Sequence, residues 1–311
     1  MKTMSLAKAV QFYLDHRRQL GFALKEEGQM LSQLVRFAEE HHHRGPLTAQ
    51  LALAWAQSPA EASRLWWARR LETTRRFATF WRAFDPRTEL PPARVFGPAY
   101  RRRPVHLYTP QEIAALMQGA RQLGGFRGAT FHTLIGLLAC TGLRIGEALR
   151  LEQRDVDWTA GLLTVRHSKF GRSRCLPLQV SSLMALKRYR QRRQKQQPQT
   201  DRGCFFLGCN GRAISYAQAA WRFRSLCDDL GWTQKPAPRL HDLRHTFAVG
   251  CLMDWYRRGE EVSPKVLALA TYLGHRSLHH TYWYLSATPE LLALAQARWP
   301  EIRPDQGGSH A

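Results

Sequence analysis

Between Asp85 and His106 the chain carries five prolines (Pro86, Pro91, Pro92, Pro98 and Pro104), a glycine at position 97 and the basic run Arg101, Arg102, Arg103. Proline fixes its own φ, removes a backbone donor and disfavours helix at the residue before it, so no regular element crosses this stretch. The chain is therefore expected to fold as two bodies joined by a semi-rigid, positively charged connector. With 311 residues in total, each body can bury a core of its own. The expected division is 1–86 as the first domain, 87–106 as the linker, 107–300 as the second domain and 301–311 as a tail.

Both bodies read as mainly helical. Leu6, Val10, Tyr13 and Leu14 recur at helical spacing, as do Leu31, Leu34, Val35 and Phe37, and shorter periodic segments follow at 48–57 and 61–83. The last of these interleaves Arg64, Arg69, Arg70, Arg75, Arg76 and Arg82 with Trp66, Trp67, Phe77, Phe80 and Trp81. That pattern predicts a small helical bundle with its aromatics inward and its arginines outward. After the linker, Thr109-Pro110-Gln111-Glu112 is a helix start, with Thr109 as cap, proline at the first position and glutamate three residues after the cap. LLTVRHS (162–168) and RSRCLPL (172–178) read as two strands of a hairpin turning near Lys169. Helical patterns return at 179–195, 216–230, 241–256, 263–272 and 288–298. The expected class is mainly α with a small β-hairpin, or α+β.

Charge narrows the partner. Lys and Arg total 46 against 24 acidic residues, a formal net charge of +22, and only eight of the 46 are lysines. Such an excess points to a polyanion, with nucleic acid ahead of an anionic membrane surface. No apolar run reaches the length of about 18 residues that a membrane span needs. The N-terminus has no signal-type apolar core, which leaves the cytoplasm as the expected location. Six cysteines without a CxxC pair read as reduced structural thiols.

Four short pieces of the second half stand out. TGLRIGEALRL (141–151) places a tight turn before a helix, with Arg144 in its first turn. The hairpin turn holds Lys169 and Arg172 in a chain where lysine is scarce. HDLRH (241–245) sets His241 and Arg244 three apart on one helical face. LGHRSLHHTYWYLS (273–286) carries His275, then Tyr282 and Tyr284. Two arginines can bind the non-bridging oxygens of a phosphodiester and stabilise charge in its transition state. A lysine can protonate a leaving oxygen, histidines can bond the phosphate or relay a proton, and a tyrosine oxygen can attack phosphorus. None of this needs a cofactor or a metal. His241 and His245 are also spaced as zinc ligands are, but the residue after His241 is Asp242 rather than glutamate, and no further box supplies a third ligand. On an unbroken helix Tyr282, not Tyr284, would share a face with His275.

In these residues the chain resembles the tyrosine recombinases, the phage-integrase family. TGLRIGEAL resembles the family's first arginine box, HDLRH its His-x-x-Arg box, and LGH the box of its second histidine, in the family's order. The resemblance implies Arg144, Lys169, His241, Arg244 and His275 as the catalytic set. It puts the nucleophile nine residues after His275, which is Tyr284. It further implies a small helical (SAM-like) core-binding domain ahead of the catalytic domain, the two forming a C-shaped clamp on duplex DNA. Arg69, Arg76, Arg101, Arg102, Arg103 and Arg172 are the expected phosphate contacts, and the expected active form is a homotetramer on two sites. The C-terminal helix, from Thr288, is expected to dock on a neighbouring subunit. The alternatives are type IB topoisomerase-like relaxation and a DNA-binding protein without catalysis.

Overall fold

The computed structural model describes residues 4–100, 104–166, 173–196, 203–275, 277–286 and 288–297. The chain divides into two compact units, Met1–Arg103 and Pro104–Ala311.

The first unit holds helices α1 (Leu6–Gln19), α2 (Lys25–Glu40), α3 (Ala49–Gln57) and α4 (Arg64–Trp81). Ser5, Thr48 and Ser63 cap α1, α3 and α4 by accepting a backbone N–H from the first turn, which satisfies a donor that has no helical partner. Leu31, Leu34, Trp55 and Phe77 form the centre of the core. Two details of α4 depart from the expected pattern. Arg70 points inward, 6% exposed, with its guanidinium 4.0 Å from the Trp55 ring centroid and bonded to Ser58 Oγ at 3.1 Å. Trp66 instead faces solvent. A guanidinium is weakly hydrated and stacks on indole, so an aromatic wall accepts it where a lysine would not fit. The proline-rich stretch is also more ordered than its composition suggests. Thr88 and Phe96 are buried, Glu89 bonds the backbone of Leu47 and Ala49, and Arg75 donates to the Pro91 carbonyl.

The second unit begins with α5 (Pro110–Gln122), whose capping box joins Thr109 and Glu112 in both directions. Its spine is α6 (Gly125–Thr141), apolar on most sides and buried accordingly. There follow the short α7 (Ile145–Leu149) and a three-stranded antiparallel sheet: β1 (Val156–Asp157), β2 (Leu162–Val165) and β3 (Arg174–Pro177), in the order β1-β2-β3. Leu163 pairs with Leu176 and Val165 with Arg174; Leu163, Val165 and Leu176 face the core. The hairpin was legible in the sequence. β1 was not, because two residues carry no periodicity. Helices α8 (Val180–Gln196), α9 (Tyr216–Asp229), α10 (Asp242–Arg257) and α11 (Val262–Leu273) come next, then α12 (His279–Tyr282), a 3-10 turn at Trp283–Ser286 and α13 (Pro289–Gln296).

The last helix is packed within its own chain. α13 packs on α10 of its own chain, with Leu291 fully buried beside Leu252, Val266 and Tyr284 in one cluster, and Glu290 pairs with Arg257.

α6 ends on Gly142 at φ 60°, where a Cβ would stand 2.6 Å from the Phe247 ring and 3.0 Å from Leu273. Gly142→Ala combines a left-handed backbone penalty with a forced repacking, and is expected to destabilise the second unit by about 2–4 kcal/mol. Denaturant unfolding followed by circular dichroism, with wild type in parallel, measures the loss.

Candidate active site

α6 and α11 both terminate on a glycine in the left-handed conformation, Gly142 and Gly274. Helix C-termini leave carbonyls without helical partners, and the aligned peptide dipoles make them partly negative. Arg244, from the first turn of α10, answers both ends. It donates from Nη1 to the Gly142 carbonyl at 2.9 Å and from Nη2 to the Leu273 carbonyl at 2.8 Å. The side chain is 2% exposed. Burial first, and the nearby charge of Arg144 second, lower its pKa to about 10, so it remains a cation at neutral pH.

Arg144 is the N-cap of α7 rather than a residue within its first turn. Its Nη1 donates to Glu147 Oε1 at 2.9 Å and its Nη2 to the Gly274 carbonyl at 3.2 Å, so it meets Arg244 at the end of α11. The Glu147 side chain is 1% exposed. Arg174, at the start of β3, grips the same carboxylate through both Oε1 (3.2 Å) and Oε2 (2.9 Å). Burial opposes ionisation of Glu147, but the bonds and charge of Arg174 and then Arg144 outweigh it and bring the pKa down to about 2.

The two tyrosines separate cleanly. Tyr284 is 3% exposed and Tyr282 is 49% exposed. An unbroken helix would have produced the opposite arrangement, but the chain leaves α11 at Gly274 and re-enters helix only at His279. The charge of the Arg244 guanidinium acts on the Tyr284 hydroxyl. Burial raises the phenol's pKa above 10, against the opposing pull of Arg244 and Arg144. His275 stacks on the Tyr284 ring with centroids 6.0 Å apart, and its Nδ1 lies 2.7 Å from the Oγ1 of fully buried Thr281.

His241 sits just before α10 with an exposed edge. Desolvation by its surroundings, followed by the charge of Arg244, lowers its pKa to about 4. His245, one turn on, was read from the sequence only as a conceivable metal ligand. It wedges its ring between three others, with centroids 4.8 Å from His241, 5.2 Å from Trp283 and 5.5 Å from Tyr284. Burial, then His241, lowers its pKa to about 3. Among the described residues no three His, Cys, Asp or Glu side chains gather as a metal site would require.

The structure thus brings Arg144, Arg244, His241, His275 and Tyr284 to one place. Lys169, Arg172 and Arg101–Arg103 lie outside the described residues. Arg69 and Arg76 are exposed on α4 of the other unit, and Arg76 pairs with Glu72 at 3.2 Å. Glu147, Arg174 and Thr281 were missed as site residues. Their only sequence signal was proximity to the boxes, because each acts by pairing with a group distant in the chain or hidden by a bend. Chemically, the pocket is a cationic cradle for an anionic ester, with a buried hydroxyl beside it.

Residues 107–290 match the family model of the phage integrases. The chain belongs to the phage integrase family. Over 94% of its length it is 36% identical to a putative integrase/recombinase, y4rB, of Sinorhizobium fredii, of which the match covers 96%. It is also 28% identical over 72% of its length to the tyrosine recombinase XerC of Chlamydia trachomatis, covering 67% of that protein. Two solved structures share the fold at 17% identity. The Tn1549 transposon integrase in complex with transposon right-end DNA has a TM-score of 0.68, covering 94% of this chain and 98% of that one. A lambda integrase dimer bound to a core site has a TM-score of 0.63, with coverages of 91% and 77%. The family suggested by the ordered boxes is thus the family matched by the whole catalytic region, and no helix among the described residues is long and apolar enough to cross a membrane.

The histidines make a pH dependence. Both are neutral in the folded chain, whereas in unfolded chain they titrate near 6.5, so unfolding takes up protons below that pH. The stability they contribute is complete above about pH 6.5 and falls as the pH drops toward their folded values. His245→Phe is expected to flatten the decline in melting temperature between pH 7 and pH 5 relative to wild type, as read by thermal scans across that range.

Proposed function

We propose that this chain is a site-specific DNA recombinase that cuts and rejoins duplex DNA through a covalent link at Tyr284. The observation that carries this reading is the buried Tyr284 hydroxyl held in the field of two arginines, the buried Arg244 and Arg144. A tyrosine placed for packing alone would turn its hydroxyl to solvent or to a neutral acceptor; this one is held where a phosphate would be drawn.

The phenol oxygen attacks the scissile phosphorus and the bond to the 5′ oxygen breaks, leaving a 3′-phosphotyrosyl link and a free 5′-hydroxyl. Arg144 and Arg244 bind the non-bridging oxygens and stabilise the charge that grows on them. Because burial keeps the phenol protonated at neutral pH, its proton must leave during attack. We assign its removal to His241, which is held neutral, and assign His275 to support the phosphate. Lys169 is the general acid for the leaving 5′ oxygen. The 5′-hydroxyl of a partner duplex then attacks the phosphotyrosine, restoring Tyr284 and a phosphodiester. Each step exchanges one phosphate ester for another, so no external energy source is needed.

The partners follow from the same reading: two duplex sites and a homotetramer that holds them. The net charge of +22 and the transposon right-end DNA held by the similar Tn1549 integrase support DNA as the ligand. Arg69, Arg76, Arg101, Arg102, Arg103 and Arg172 are proposed to contact phosphates, which positions the protein without reading sequence. The mobile-element setting is the best supported biological role, given the transposon integrase among the similar structures.

The test is a nicked suicide duplex carrying a site selected from a random-sequence pool by binding. Tyr284→Phe is expected to bind but form no covalent adduct, and Tyr282→Phe to form it at close to the wild-type rate. An adduct in both variants would remove the tyrosine mechanism, and loss only in Tyr282→Phe would move it to the other ring.

A further inference from the structure

Arg174 stands outside the set that the boxes supply, yet its side chain is 11% exposed and every guanidinium nitrogen is engaged. Nε donates to the Tyr272 carbonyl at 2.7 Å; Nη1 and Nη2 donate to the two carboxylate oxygens of Glu147 at 3.2 and 2.9 Å. Gly274 makes room for it: a Cβ there would stand 2.9 Å from Arg174 Nη1. Glu147 is therefore shared unequally. Arg174 meets it as a two-pronged fork, the stronger geometry. Arg144 reaches it through Nη1 alone and turns Nη2 to a backbone carbonyl.

We propose that Arg174 is a positioning residue for strand transfer, absorbing the charge of Glu147 so that the charge of Arg144 stays available to the scissile phosphate. The same side chain fixes a strand. Through Tyr272 it ties the first residue of β3 to the end of α11. Arg174 touches no substrate. Its effect passes through Glu147 and through the backbone of α11.

The electrostatic order of the site agrees. Against the cost of burial, Arg174 ranks ahead of Arg144 in holding Glu147 ionised. Without Arg174 the carboxylate would turn its full charge onto Arg144, and a carboxylate and a phosphate would compete for one guanidinium. The pocket would lose a positive charge at the position where the transition state gains a negative one. Charge stabilisation in such a pocket is worth most because water does not screen it.

The proposal rests on the recombinase reading, so its test uses the same suicide duplex. Single-turnover adduct formation and equilibrium binding are measured for wild type, Arg174→Gln, Arg174→Lys, Glu147→Gln and the double variant Glu147→Gln/Arg174→Gln. Arg174→Gln is expected to slow adduct formation about 100-fold while changing duplex affinity by less than about threefold, the split of a transition-state effect. In the Glu147→Gln background the same substitution is expected to cost less than about threefold, because the carboxylate it restrains is gone. Arg174→Lys keeps the charge without the fork and is expected to fall between; if the glutamine variant fails to fold, the lysine variant runs the same cycle. An equal loss in both backgrounds overturns the proposal, since Arg174 would then act independently of Glu147, as would wild-type rates in every Arg174 variant. A wild-type chain that forms no adduct sinks the recombinase reading and this one with it.

Discussion

The second unit is organised around one buried cation. Taking a guanidinium out of water costs on the order of several kcal/mol unless its donors are answered. Arg244 is answered by the ends of two helices rather than by a carboxylate: Gly142 at the end of α6 and Leu273 at the end of α11. Carbonyl dipoles supply the compensation while leaving the formal charge uncancelled. A carboxylate in their place would have made the pocket neutral and of little use to a phosphate. Because the two carbonyls come from helices far apart in sequence, the arginine also fixes the docking of α6, α10 and α11 on one another.

That anchor determines how the remaining side chains can sit. Arg144 shares the end of α11 through the Gly274 carbonyl, and Glu147 would neutralise it were Arg174 not holding the carboxylate from its other side. Tyr284 arrives on a short helical segment after a bend, sinks among Ala248, Leu252 and Leu273, and lies in the field of Arg244. α13 closes over the same cluster with Leu291. A hydroxyl held this deeply stays protonated at neutral pH, and in the proposed reaction its proton leaves only during attack.

The sequence disclosed these features unequally. The resemblance of the ordered boxes to the family placed Arg144, His241, Arg244, His275 and Tyr284 in one set, which composition and periodicity alone did not do. Helical periodicity alone would have chosen Tyr282, since a period assumes an unbroken helix and cannot see Gly274 turning the chain. Arg174 and Glu147 escaped because their pairing joins β3 to α7, and no local pattern encodes such a contact. Arg70 was read as outward-facing for a similar reason: only the fold reveals that Trp55 lies beneath it. The proline-rich stretch read as a semi-rigid connector, and Thr88 and Phe96 are buried within the first unit, a packing that composition cannot express.

The central claim is that the buried ring, not the exposed one, carries the covalent chemistry. The most direct measurement is to digest the wild-type protein–DNA adduct with trypsin and locate the nucleotide by fragmentation mass spectrometry. Tyr282 and Tyr284 fall in one tryptic peptide, from Ser277 to Arg298, so a single spectrum compares them. The account predicts the nucleotide on Tyr284. A nucleotide on Tyr282, or on a residue outside that peptide, would contradict it.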